Sequence, residues 1–274
     1  MGFPTRFSAH LCLYTSEVNI MTAISFAGVY QKYITKSGET TALQEITLDI
    51  QAGEMIGLVG PSGCGKSTLL SLIAGLLVPT SGSVRVFGEK VAGPSPDRGY
   101  MFQQDYLLPW RTILDNILIG AEIAGRVTPQ IRERALHLLE EMGLDGSAAK
   151  HPHQLSGGMR QRVALVRTLL TEPQIVLLDE PFSALDYQIK LQLEELVTTT
   201  LKARGITGVL VTHDLGEAVA MCDRIVVLSN HPGRIKRILD VPHNVRQRSP
   251  LAARETAEYH SLFRTIWGDL QDEY

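Results

Sequence analysis

The apolar positions of this chain keep two different rhythms. Over residues 23–50 the period is two: ISFAGVYQKYI, a polar turn at 36–41, then LQEITLDI, where Ile46, Leu48 and Ile50 alternate with Thr47 and Asp49. That pattern predicts strands with one buried face. Residues 55–59, MIGLV, are apolar throughout and predict a strand buried on both faces, after which a glycine-rich turn leads into a helix. A further strand pair is expected from GSVRVFGEKV and RGYMFQ, so the first hundred or so residues read as a central core joined to an antiparallel sheet. Between about 112 and 170 the period lengthens. In PQIRERALHLLEEMG, residues Ile131, Ala135, Leu138, Leu139 and Met142 share one helical face, with Pro129 near the start and Gly143 past the end. This helical insert closes with LSGGMRQRVALVRTLL. The strand pattern then resumes in IVLLDE and, beyond a helix running to about residue 204, in GVLVTH. Near the end, SLFRTIWGDL sets Leu262, Ile266 and Trp267 at helical spacing, which predicts one amphipathic helix packed on the core.

Composition narrows the picture modestly. The 274 residues can form one large domain or two smaller ones, and 20% charged with 44% hydrophobic residues is an ordinary globular balance. A formal net charge of −3 offers no basic footprint for nucleic acid. Three scattered cysteines, Cys12, Cys64 and Cys222, form no C-x-x-C pair, so neither a zinc site nor a disulfide framework is indicated, and a reducing setting fits. The longest apolar run, LLSLIAGLLV, is far short of the ~20 residues that span a bilayer. Residues 1–20 lack the apolar core of a signal peptide and read as a disordered extension, with Met21 a plausible true start.

The chemistry starts at MIGLVGPSGCGKSTLL. Gly60, Gly65, Lys66 and Ser67 stand at the G-x-x-x-x-G-K-[ST] spacing, in which backbone N–H groups wrap the phosphates of a nucleotide and the lysine neutralises the outer ones. Glycine lets backbone approach the anion, and the helix beginning near Lys66 adds its positive end. Ser67 would hold Mg2+. Asp179 and Glu180 end the buried strand IVLLDE, where ligands of open α/β sheets bind. Asp179 suits the magnesium shell and Glu180 the deprotonation of an attacking water. His213 ends another strand, where it could face the terminal phosphate. Taken alone, Tyr33 reads as a half-buried strand tyrosine, and Ser156-Gly157-Gly158 as a helix start that could equally be a simple turn or an anion site.

The ordered set GPSGCGKST, MFQQ, LSGGMRQR, IVLLDEP, SALD and VTHD resembles the ATP-binding subunit of ABC transporters, and the match runs from about residue 23 to 232. The resemblance implies an α/β fold, a P-loop NTPase (RecA-like) core with an antiparallel β subdomain and an inserted α-helical subdomain at about 104–170. The ATP-binding domain would cover 21–240 and a helical tail 241–274. Tyr33 then looks like the aromatic that stacks on adenine. Gly60, Pro61, Ser62, Gly63, Cys64, Gly65, Lys66, Ser67 and Thr68 look like the phosphate loop. Gln103 is similar to the glutamine that touches magnesium and the attacking water, Asp179 to the magnesium aspartate, Glu180 to the catalytic base and His213 to the switch histidine. Ser156, Gly157 and Gly158 look like the signature that closes over ATP bound to a second subunit, and Asp186 like a dimer-contact residue. Met159 departs from the pattern, standing where the family most often has glutamine.

YLLPW at 106–110, the LSGGMRQR form of the signature and SNHPGRI resemble the branch of bacterial importers for nitrate, sulfonates and taurine. The resemblance thus implies an ATP hydrolase, using ATP and Mg2+, that works as a homodimer or beside a paired ATPase subunit. It would dock peripherally on the cytoplasmic face of the bacterial inner membrane, on permease subunits and indirectly on a solute-binding protein, with no nucleic-acid partner. Leu107 and Trp110 are expected in the permease-docking groove, and a lone subunit is expected to bind ATP yet hydrolyse it poorly. The competing class is a soluble ABC ATPase acting on DNA or ribosomes; such proteins usually carry a long coiled-coil insertion or two fused nucleotide domains, and neither is visible. A small-molecule phosphotransferase would leave the signature and His213 without a task.

Overall fold

A computed structural model describes residues 21–35, 38–183 and 185–271; the expected extension at 1–20 lies outside these. Strands β1 (Thr22–Thr35), β2 (Gly38–Gln51), β4 (Ser81–Val86) and β5 (Glu89–Lys90) form an antiparallel sheet in the order β2-β1-β4-β5. Strands β3 (Met55–Val59), β6 (Arg98–Met101), β7 (Ile175–Asp179), β8 (Thr207–Val211), β9 (Arg224–Leu228) and β10 (Ile235–Asp240) form the central sheet in the order β10-β9-β3-β8-β7-β6. Its strands are parallel except for β10, which runs antiparallel along β9.

The continuous apolar runs serve two cores. Ile175 and Leu177 of β7 face one core, with Ile56, Leu58, Val209 and helix α1 (Lys66–Ala74), which is packed between the two sheets. Val176 and Leu178 face the other, built with helices α2 (Ile113–Ile123), α3 (Pro129–Glu141), α4 (Gly157–Leu169), α5 (Tyr187–Ala203) and α6 (Leu215–Met221). A strand covered on both sides cannot alternate with polar residues, so its sequence does not. Short helices α7 (His243–Arg246) and α8 (Pro250–Ala253) lead to α9 (Ala257–Gln271), which packs on α6 and β9. Among the described residues, no helix is long and apolar enough to cross a membrane.

Two expectations change. The first hairpin continues into the anticipated turn, with Tyr33 opposite Thr40 and Thr35 opposite Gly38. RGYM does not pair with GSVRVFGEKV: it is β6, the parallel edge of the central sheet, in register with β7 from Arg98↔Ile175 to Met101↔Leu178. The link between them, AGPSPD, lacks hairpin turn chemistry, and its two prolines lead the chain from one sheet to the other. Arg98 locks the crossing by donating to the carbonyls of Ile73 and Gly93, each at 2.9 Å.

Candidate active site

The glycine turn between β3 and α1 is packed from behind. A Cβ on Gly60 would stand 2.7 Å from the Cys64 sulfur and 3.0 Å from the Leu228 carbonyl oxygen. One on Gly65, whose φ of 98° is already left-handed, would stand 2.5 Å from Leu43 Cδ2. Only Gly63, at φ 80°, has open space where a side chain would grow. Two of the three glycines are therefore fixed by protein behind the turn, and Gly63 alone by its backbone angle and free outer surface. Cys64 is fully buried, and burial pushes its thiol pKa up, so it acts as an apolar plug under the loop. Lys66 is buried too. Its Nζ donates to the carbonyl oxygens of Gly60 at 2.7 Å and Pro61 at 2.9 Å, which offsets the cost of removing an ammonium from water.

Beside the loop, side chains from three elements meet at Asp179. Ser67 Oγ donates to one carboxylate oxygen at 3.1 Å, and Tyr100 OH donates to the other at 3.0 Å. Burial, and then the adjacent Asp179 charge, raise the Tyr100 phenol, so it stays a donor. Tyr33 lies at the rim, its OH 3.2 Å from Thr68 Oγ1 and its ring 37% exposed.

Glu180 holds a left-handed backbone, φ 48°, anchored by its N–H donating to the Val211 carbonyl at 2.9 Å. A non-glycine residue in that region costs about 1 kcal/mol or more and persists only where its surroundings impose it. The turn aims the carboxylate at two neighbours. His213 Nδ1 is 3.1 Å from Oε2, and Gln103 Nε2 is 3.5 Å from the same oxygen and 3.1 Å from Ser183 Oγ. Gln103 is steadied from its other side, its backbone carbonyl accepting from Gln161 at 3.0 Å. Tyr33, Lys66, Ser67, Glu180 and His213 line a single cavity of about 790 Å³, within the range of small-molecule sites.

Below His213 lies a buried ionic cluster. Lys190, one turn into α5, reaches Asp214 and Glu217 of α6, each at 2.5 Å, and Thr212 donates to Glu217. Burial alone would lower the lysine pKa, but its hydrogen bonds to the two carboxylates outweigh it, and the net shift is upward. Asp214 is lowered: Lys190 and the backbone N–H groups of Gly216 and Glu217 overcome its desolvation. Glu217 is raised because its burial prevails. Deeper still, Glu194 pairs with Arg254 of the tail at 2.7 Å, and burial pushes its carboxyl up to about 7.

The remaining motif residues stand apart from this cavity. Ser156 is an exposed N-cap whose Oγ accepts from Met159 N–H at 3.3 Å. Gly158 is buried against α5, where a Cβ would stand 2.4 Å from Ile189 Cγ2. Met159 turns its side chain to the core. Asp186 is the exposed N-cap of α5. Three support residues carry no sequence signal of their own: Tyr100, Ser183 and Lys190. Trp267 corrects the expected tail packing, since Leu262 and Ile266 are buried while Trp267 is 52% exposed and lines the cavity. Leu107, expected at a docking surface, is only 8% exposed, whereas Trp110 is 72% exposed.

The ABC transporter family model matches residues 43–183. The nitrate transport protein NasD of Klebsiella oxytoca is 40% identical over 247 residues, covering 89% of this chain and 94% of that protein. The taurine import ATP-binding protein TauB of Escherichia coli (strain K12) is 43% identical over 198 residues, covering 72% and 78%. Among solved structures, the dimer of the ATP-binding cassette MJ0796 in a post-hydrolysis state, bound to ADP and Pi, superposes with a TM-score of 0.70 at 33% identity, covering 80% of this chain and 99% of that one.

Proposed function

This chain belongs to the ABC transporter family as its ATP-hydrolysing subunit, and on that premise we propose that it powers an importer for a small anionic solute. It would work as a nucleotide-sandwich dimer on membrane permease subunits. The observation that carries this reading is the convergence of Lys66, Ser67, Asp179, Glu180, Gln103 and His213 from separate strand ends at one edge of the central sheet. The relatives named for nitrate and taurine support the solute class, and they speak against a DNA- or ribosome-directed ATPase.

In this reading the loop N–H groups and Lys66 bind the β- and γ-phosphates, the lysine exchanging its loop carbonyls for phosphate oxygens. Glu180 takes a proton from the attacking water, whose oxygen bonds to the γ-phosphorus while the bond to the β-phosphate oxygen breaks and its electron pair leaves with ADP. Gln103 and His213, both held against Glu180, orient that water and read the terminal phosphate. The donors present fit Mg2+: the Ser67 hydroxyl and the Asp179 carboxylate are hard oxygen ligands 3.1 Å apart, with the Gln103 amide as a further donor. That cation needs few protein ligands beside water and phosphate oxygens. Bound there, Mg2+ would neutralise charge on the phosphates. Ser156, Gly157 and Gly158 would cap ATP held by the other subunit of the dimer, with Asp186 at the seam, a role consistent with the exposure of Ser156 and Asp186 and with their place away from this chain's own cavity.

Docking would use the rigid loop at 102–110. Buried Asn116 clamps it, accepting from Leu108 N–H at 2.6 Å and donating to the Leu108 carbonyl at 3.1 Å, while Tyr106 and Trp110 point outward. This surface suits a peripheral subunit on the cytoplasmic side of the membrane, where the permease carries the solute. Glu180→Gln tests the chemistry. ATP should still bind, with hydrolysis reduced by about 10²–10⁴ and a stable ATP-bound dimer seen in size-exclusion chromatography; undiminished turnover would refute Glu180 as the base.

A further inference from the structure

Helix α9 leaves one large apolar side chain, Trp267, largely outside its packing on the core. Tyr259, Leu262 and Ile266 are buried and fasten one stripe to the core. The final turn is pinned as well: the Asp269 carbonyl accepts from Lys236 at 2.6 Å, and its carboxylate meets Arg237 at 3.3 Å. The adjacent stripe, Phe263, Trp267 and Leu270, runs at i, i+4, i+7. Of this stripe, Phe263 and Leu270 pack partly against the core, whereas Trp267 between them is exposed. Here its end enters the phosphate-loop cavity, where Trp267 and Leu270 line the same space as His231, Ala42 and Tyr33.

We propose that Trp267 and Leu270 form a wall of the ATP site and contact the nucleoside part of the bound nucleotide. This rests on the reading of the cavity as an ATP site. Lys66, Ser67 and Thr68 line the polar end, which the triphosphate fills. The base and ribose remain, and a flat heterocycle is the part of ATP that gains most from an indole and an aliphatic side chain. The tail helix is then a specificity element for nucleotide, supplied from outside the motif set.

The chain has two tryptophans, and the other, Trp110, is not among the residues lining this cavity. Trp110→Phe therefore makes Trp267 the sole indole reporter. Its emission should change on titration with ATP, saturating in step with binding measured by calorimetry, and should stay flat with inorganic tripolyphosphate. Trp267→Ala should weaken ATP roughly tenfold while leaving tripolyphosphate affinity unchanged, and Trp267→Phe should recover most of the loss. Flat emission while calorimetry registers ATP binding overturns the contact but leaves the ATP reading intact; absence of ATP binding by calorimetry removes the reading beneath it. An equal response to tripolyphosphate overturns the proposal, because the signal then travels through the loop. A response seen only at protein concentrations that dimerise the chain also overturns it, because a second copy then covers Trp267.

Discussion

Two glycine turns open helices in this protein, and they are built in opposite ways. The turn into α1 is wired inward: Cys64 plugs it, Lys66 is bonded to its carbonyls, and Ser67 joins Asp179 and Tyr100. The turn into α4 faces outward, its Ser156 capping the helix with a single bond to Met159 N–H and lying outside the cavity. The difference is one of enclosure: the first turn is held within its own chain, whereas the second presents Ser156 to the surface, as its proposed role at a partner's nucleotide requires.

The sharpest way to break that contrast is complementation. Lys66→Ala and Ser156→Arg should each cut ATP hydrolysis by about 10² or more. Mixing the two variants should restore turnover above either alone, because a mixed dimer has one site in which both turns are intact. If the mixture is no more active than its parts, the outward turn does not serve a partner's nucleotide. A stability measurement tests how far the inward wiring extends. Lys190→Met strands Asp214 and the buried Glu217 beneath His213, and should cost about 3–5 kcal/mol of stability by chemical denaturation, with Lys190→Arg retaining most of it.

The smallest effect is a pH dependence. Glu194 is lifted from 4.5 to about 7 by burial, so the folded chain holds this proton where the unfolded chain has released it. Its contribution is fully present below pH 4.5 and is lost as pH rises through 7, a fall on the order of 3 kcal/mol. Glu194→Gln should flatten this slope in denaturation curves taken between those values; an unchanged slope would locate the titration elsewhere.

The inward turn was legible in the sequence because its chemistry dictates residue types: glycines where the backbone bends or is crowded, lysine and a hydroxyl for phosphate and metal. Asp179 and Glu180 were legible as the acidic end of an apolar run. Tyr100 was not, since its bond to Asp179 depends on β6 joining the central sheet, and period-two alternation carries no record of which sheet a strand joins. Trp267 misled for a geometric reason. Adjacent helical positions can both be buried, as Leu138 and Leu139 are, so spacing alone does not separate Trp267 from Ile266; the cavity beside the last turns of α9 does. Leu107 and Trp110 looked alike in YLLPW, and only the packing around Asn116 separates the inward side chain from the outward one.

Gly158 rests on Ile189, and one residue further along the same helix Lys190 grips Asp214, next to His213. One helix, α5, thus touches the turn at Gly158 through Ile189 and the residue after His213 through Lys190. If the turn at Gly158 meets a partner's nucleotide as proposed, a shift of α5 would reach that turn and the neighbour of His213 together.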